Sequence, residues 1–334
     1  MNSFHSVSRI TASAPPAAAC DESQYVTDGG STWGPNVQLN DPGLGGGWGP
    51  RIAIDRGNTA YAIWGGIAIG ASPSLVSSTD GGITWSASRS LSTLGAGIQD
   101  LAITALAAGD LLLAWEGLYF TRSTDGGTTW SPSVRVAVGA SHSHAITADD
   151  AGNVYLAWED GRNGNFYDIY SAASFDGGQT WNAPIRVSQD IDPGTDYHQF
   201  PSIAVDARGT VYVGWAGWGQ SFATRGVFLA RSRDKGATWE TNLRVDRGAD
   251  RARKYAPAMT VDPDGSVLMV WEDDRSGNGD IYFGTGERGS GNGGPFPSWL
   301  LAAIILSTVA AILLVVVWRR RRKKAPRGPE NPPR

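Results

Sequence analysis

STDGGITW (78–85), STDGGTTW (123–130), SFDGGQTW (174–181) and SRDKGATW (232–239), with VTDGGSTW (26–33) ahead of them, are five versions of one eight-residue turn. Their aspartates Asp28, Asp80, Asp125, Asp176 and Asp234 are 52, 45, 51 and 58 residues apart. A unit of that length is one supersecondary element that cannot bury its own apolar face, so neighbouring copies must stack. A second set of tryptophans marks the same repeat. Trp64, Trp115, Trp158, Trp215 and Trp271 close the runs TAYAIW (59–64), DLLLAW (110–115), NVYLAW (153–158), TVYVGW (210–215) and SVLMVW (266–271).

Those runs alternate with period 2 and are rich in β-branched and aromatic residues, which predicts strands. Ahead of them lie short stretches ending in Asp, RIAID (51–55), SIAVD (202–206) and AMTVD (258–262). A third strand precedes the turn, as in PSLVSS (73–78), LYFTRS (118–123), DIYSAAS (168–174) and GVFLARS (226–232). A fourth follows it, as in VRVAV (134–138), IRVS (185–188) and LRVD (243–246). Four antiparallel strands in about fifty residues, repeated, predict an all-β chain folded as a β-propeller. A right-handed parallel β-helix fits less well, because its coils are shorter and lack hairpin turns at a fixed place.

The turn itself reads as scaffold. Its Asp can accept from backbone N–H groups of its own loop. The Gly-Gly pair supplies positive φ, the Thr hydroxyl closes the loop, and the Trp caps the apolar layer between sheets. A catalytic carboxylate is expected once, not five times. The carboxy-terminal unit has three strands (about 258–285) and no boxed turn, while the amino end supplies a box and a strand (about 35–39) without the first two. A strand from the amino end completing the last blade gives five blades. If the amino terminus lies upstream of Met1, the ring has a sixth. An upstream terminus is the favoured expectation, because the chain opens partway through a repeat and MNSFHSVSRITASAPPAAAC (1–20) lacks the apolar core of an export signal.

Trp299–Trp318 is twenty residues without a charge, long enough for a membrane-spanning helix, with a tryptophan at each interface. Arg319, Arg320, Arg321, Arg322, Lys323 and Lys324 follow and are expected to stay cytoplasmic, leaving everything before Trp299 outside. The tail 319–334 has eight Lys/Arg against one Glu, so with the chain at −4 the residues before it carry −11. An acidic ectodomain argues against nucleic acid as a partner. The single cysteine, Cys20, forms no disulfide within the chain. The expected organisation is an unstructured segment 1–23, a propeller 24–285, a Gly/Pro-rich linker 286–298, a transmembrane helix 299–318 and a basic cytoplasmic tail 319–334.

The pattern Ser-x-Asp-Gly-Gly-x-Thr-Trp resembles the Asp-box, or BNR, repeat of the sialidase superfamily, over about residues 24–285. Val26 and Lys235 depart from it. The resemblance implies a propeller. For the enzymes of the family it also implies an arginine triad, a Tyr nucleophile paired with Glu, and an Asp acid/base. The first triad arginine typically sits in an Arg-Ile-Pro motif, but Arg51-Ile52 is followed here by Ala53, and no motif marks a second or third. Tyr255, ahead of the last blade, has no supporting motif either.

Propeller topology puts the boxes and the 1–2 turns on one face and the 2–3 and 4–1 connections on the other. Loops carry binding residues more often than strands do. The second face has the richer ones: SQDIDPGTDYHQF (188–200) with Asp190, Asp192, Asp196, Tyr197 and His198; DRGADRARKYA (246–256) with Arg247, Arg251, Arg253, Lys254 and Tyr255; and AGWGQSFATR (216–225) with Trp218. The candidate ligand residues are therefore Arg51, Tyr197, His198, Trp218, Arg251, Arg253 and Tyr255. Glu159, Asp160 and Arg162 recur as Glu272, Asp273 and Arg275, which favours a structural turn held by an Asp–Arg pair. No cofactor is implied. Asp190, Asp192 and Asp196 lack a calcium-loop signature, and His142 and His144 lack a third zinc ligand. These features favour a membrane-anchored binding or surface-interaction module, with a glycan or surface protein as partner. A sialidase-like hydrolase is the alternative.

Overall fold

The computed structural model describes residues 36–40, 47–66, 71–95, 98, 100–139, 141–164, 166–189, 197–219, 225–247, 252–262 and 265–286. Its strands lie in one compact unit, Gln38–Gly293, and form five antiparallel sheets taken up in chain order. Blade 1 is β1 (Gly47–Ile54), β2 (Ala60–Gly66), β3 (Ser74–Ser78) and β4 (Arg89–Ser90). Blade 2 is β5 (Ala102–Ala105), β6 (Leu111–Trp115), β7 (Tyr119–Ser123) and β8 (Val134–Arg135). Blade 3 is β9 (Ser141–Ala148), β10 (Val154–Asp160), β11 (Asp168–Ser174) and β12 (Ile185–Arg186). Blade 4 is β13 (Tyr197–Val205), β14 (Val211–Trp218), β15 (Arg225–Ser232) and β16 (Leu243–Arg244). Blade 5 is β17 (Lys254–Val261), β18 (Val267–Asp273) and β19 (Asp280–Gly286). The first strands lie side by side in the order β1, β5, β9, β13 and β17, and line the inner ring of a five-bladed propeller. Among the described residues no helix is long and apolar enough to cross a membrane. Trp299–Trp318, the basic tail and Cys20 lie outside the described residues.

The core is divided into layers between blades. In β10, Val154, Leu156 and Trp158 join a cluster with blade 2, while Tyr155 and Ala157 join one with blade 4. The period-2 alternation thus sorts side chains between two apolar layers, and every residue of β10 is buried. Trp158 and Trp215 are fully buried. A side chain of that size removes about 150–250 Å² from water, on the order of 4–6 kcal/mol at about 25 cal/mol/Å².

The boxes behave as read. Asp80, Asp125, Asp176 and Asp234 each accept from the preceding Ser hydroxyl at 2.7–2.8 Å and from the Thr backbone N–H at 2.8–2.9 Å. The Thr hydroxyls of 84, 129, 180 and 238 bind the second carboxylate oxygen. These bonds, the Thr hydroxyl foremost, hold all four carboxyls down at about 2. The second box glycine also meets the preceding blade. A Cβ on Gly178 would stand 1.9 Å from Phe120, and one on Gly127 would stand 2.3 Å from Leu75. Lys235 takes the left-handed position that glycine holds in the other described boxes, at φ 59°. Asp28 lies outside the described residues.

Three details differ from the sequence reading. The inner strands of blades 1, 4 and 5 begin at 47, 197 and 254, several residues early, because each continues across a β-bulge. The fourth strands hold only two residues each. Residues 36–40 form no strand, although Leu39 packs on Ala62 and Trp64 as Val136 and Val187 pack on the blades that follow them. A two-residue ladder is the weakest part of a blade, and side-chain packing outlasts it. Blade 5 is correspondingly open. Ile281 is 59% exposed, whereas its register equivalents Leu118, Ile169 and Val227 are fully buried.

Candidate functional site

On the face opposite the boxes, β14 ends at Trp218, β15 begins at Arg225 and β17 begins at Lys254. These ends surround a cavity of about 210 Å³ lined by Trp218, Arg225, Arg253, Lys254 and Tyr255. Its wall is aromatic. Tyr197 stacks on Trp218 with ring centroids 5.5 Å apart, Phe166 meets Tyr197 edge-on at 4.5 Å, and Tyr255 stands edge-on to both Trp218 and Phe200 at 6.3 Å. The Trp218 indole N–H is buried without a hydrogen-bond partner among the described residues.

The cavity floor is an ion cluster. Lys254 is fully buried, its Nζ 3.4 Å from Asp246 and 4.0 Å from Asp273. Arg244 pairs with Asp246 at 3.0 Å, and Arg275 pairs with Asp273. Burial pushes both carboxyls up, but these partners outweigh it and hold them below the ordinary range. Three cations therefore face two carboxylates beneath a cavity that Arg225 and Arg253 also line. Asp274 accepts from the Arg253 backbone N–H, so among these described residues five cations (Arg225, Arg244, Arg253, Lys254 and Arg275) stand against three carboxylates (Asp246, Asp273 and Asp274).

Each blade carries one further feature at this end. Gly49, Ser143, Phe200 and Ala256 on the inner strands, and Asp100 just ahead of β5, occupy the same place in successive blades, and all have positive φ, 42–57°. For the four that are not glycine this costs about 1–2 kcal/mol each. The Ser143 N–H donates to Asp100 at 3.3 Å, and the Phe200 N–H donates to Glu159 at 2.8 Å, so each binds a carboxylate of the preceding blade. Glu159 is 2% exposed, and burial raises its carboxyl. Burial lowers His144 to about 4.

The cavity unites Trp218, Arg253 and Tyr255, with Tyr197 stacked behind. His198 is a correction. It belongs to strand β13, is 4% exposed, and its Nδ1 accepts from the Trp215 indole at 3.1 Å, so it serves the core. Arg51 lies on β1 of the first blade, exposed, and does not line the cavity. Arg251, Asp190, Asp192 and Asp196 lie outside the described residues. Arg225 was the residue missed. It opens a strand after a polar loop, and only its neighbours in space mark it. The repeated Glu-Asp-x-Arg turns are structural in their Asp–Arg pairs, Asp160 with Arg162 and Asp273 with Arg275.

A larger cavity, about 490 Å³, lies on the box face between the 1–2 turns of blades 3, 4 and 5. Its carboxylates are spent on structure. Asp149, Asp206 and Asp262 accept from N–H groups of their own turns, and Asp150 pairs with Arg56. Among the described residues no group of three or more His, Cys, Asp or Glu is placed to hold a metal ion.

The BNR/Asp-box repeat family matches residues 76–87, which contain the first described box. No curated protein sequence matches the chain. Among solved structures, a Hadza microbial sialidase is 19% identical with a TM-score of 0.50, over 78% of this chain and 58% of that one. A protein of unknown function from Dyadobacter fermentans is 16% identical with a TM-score of 0.47, over 71% and 93%. An α-L-arabinanase of Penicillium chrysogenum complexed with arabinobiose is 14% identical with a TM-score of 0.47, over 68% and 77%. At these identities the likeness concerns the fold.

Proposed function

Since the chain is an Asp-box β-propeller, we propose that it is a non-hydrolytic binding module that holds an anionic glycan in the cavity between blades 4 and 5. The observation that carries this is the convergence of Trp218 and Tyr255 with Arg225 and Arg253 around about 210 Å³. Aromatic faces suit the apolar face of a sugar ring. Guanidinium groups suit carboxylate or sulfate oxygens. Among the described residues two arginines, Arg225 and Arg253, line the cavity, and Arg51 is not one of them.

Calorimetric titration of the purified protein with acidic oligosaccharides tests this. Trp218→Ala and Arg253→Ala should each weaken binding about tenfold or more, a loss of about 1.4 kcal/mol, and Arg51→Ala should not. A fluorogenic sialoside should show no turnover above a buffer blank. Turnover abolished by Tyr255→Phe would establish the hydrolase instead.

The cell-surface placement is part of the same proposal. Trp299–Trp318 anchors the chain, with Arg319–Lys324 inside and the propeller outside. Protease added to intact cells should remove the propeller and spare the tail. Protection of the propeller would reverse the topology.

A further inference from the structure

The third strand of each blade runs toward the box face. In blades 1 to 4 it ends at the box serine. Ser78, Ser123, Ser174 and Ser232 pair across the ladder with Ala60, Leu111, Val154 and Val211, the opening residues of the second strands. Blade 5 keeps that register, because Gly286 pairs with Val267, which opens β18. Gly286 therefore stands where the box serines stand, and the chain leaves blade 5 on the box face. The cavity lies at the other end of the blades, where β14 ends at Trp218, β15 begins at Arg225 and β17 begins at Lys254.

Two lengths set what this polarity means for an anchored protein. β19 has seven residues, so the two faces of blade 5 are about 23 Å apart at about 3.3 Å per residue. Between Gly286 and Trp299 lie the twelve residues 287–298, four of them Gly. A Gly-rich chain of that length spans on average about 17–21 Å. That span reaches a bilayer under the box face. To bring the cavity face to the same bilayer, the chain must first retrace the height of the blade, which exceeds its average span. Resting on the anchor at Trp299–Trp318 and on the glycan-binding reading above, we propose that the box face is the membrane-proximal face and that the cavity opens away from the bilayer. The partner is then an acidic glycan carried on another surface. A glycolipid of the protein's own membrane presents its headgroup to the opposite face of the propeller.

Two versions of the full-length protein carry one dye each, both with Cys20→Ser. The dye sits on Ala237→Cys, in the box of blade 4, or on Glu116→Cys, in the 2–3 turn of blade 2, and both positions are exposed. Each is reconstituted into phosphatidylcholine vesicles that contain an acceptor-labelled lipid. Energy transfer to the lipid should be greater from position 237 than from position 116. Inserting about twenty-four Gly/Ser residues after Gly291 should erase most of the difference, because the average span then rises to about 30–36 Å, more than the height of the blade. Equal transfer from both positions before lengthening, or more from position 116, would overturn the orientation and keep the anchor. Protein washed off the vesicles at alkaline pH would overturn the anchor and the orientation together. In a second arm, protein-bearing vesicles are mixed with separate vesicles that carry sulfatide. They should cluster, and Trp218→Ala should abolish the clustering. Binding of sulfatide only within the protein's own bilayer would overturn the choice of partner. Binding in neither arrangement would overturn the acidic glycan, and this partner with it.

Discussion

Gly82 and Gly178 hold the same position in two boxes and have the same backbone, φ +95° and +96°, but different neighbours. Among the described residues a Cβ on Gly82 would meet nothing nearer than Trp85 of its own box, at 3.8 Å. A Cβ on Gly178 would stand 1.9 Å from Cε1 of Phe120, in the preceding blade. Phe120 is 2% exposed and edge-on to Trp181 at 5.3 Å, so its ring has nowhere to go. Gly82→Ala therefore carries only the cost of left-handed backbone, about 1–2 kcal/mol. Gly178→Ala carries that cost plus overpacking of about 1–3 kcal/mol, for a total of about 2–5 kcal/mol. Because the backbone term is common to both, the difference isolates contact between blades. Equilibrium unfolding in urea gives it from the two midpoints. Gly236→Ala is a second mild control, since the nearest atom there is Ala173 Cβ at 3.8 Å. Equal destabilisation by Gly82→Ala and Gly178→Ala would refute the idea that the boxes register one blade on the next, and would leave them as turns alone.

Three further outcomes are expected. The box carboxyls are depressed from 3.8 to about 2, so the stability they contribute is complete above about pH 4 and is lost as pH falls toward 2. Asp125→Ala should accordingly lower the melting temperature at pH 7 and much less at pH 2. Glu159 has the opposite sign: its carboxyl is raised by burial, so the native state is penalised as pH rises past the unfolded value of about 4.5. Glu159→Gln, which can still accept from Phe200, should raise the melting temperature at pH 7.5 and leave it unchanged at pH 4. Lys254→Met leaves Asp246 and Asp273 buried with one cation each. It should cost about 3 kcal/mol in urea unfolding, the low end for breaking a buried pair.

The repeat made most of the fold legible. A five-fold turn with fixed chemistry and a tryptophan at the end of each second strand are local signals, and the local hydrogen bonds they imply are present at all four described boxes. The site was legible only in part, because it is a product of neighbourhood. Trp218 and Tyr255 are 37 residues apart in sequence, and only stacking of blade 5 on blade 4 brings them together. His198 looked like a loop ligand because its flanks are polar; the bulge that starts β13 early could not be inferred from composition. The left-handed inner ring gave one faint sign, the prolines Pro50, Pro201 and Pro257 that follow three of its five members.

Among the described residues blade 5 has three strands, and its outer edge is the most exposed in the propeller. Each blade is held mainly by its two neighbours, so opening starts where the packing is thinnest and propagates inward from there. Ile281 at 59% exposure marks that end, and the proposed ligand cavity straddles the last internal junction before it. A ligand bound there would act as a clasp, adding its binding free energy to the junction that opens first. Amide hydrogen exchange would record this as protection gained in β17 and β18, while blades 1 and 2 keep their rates.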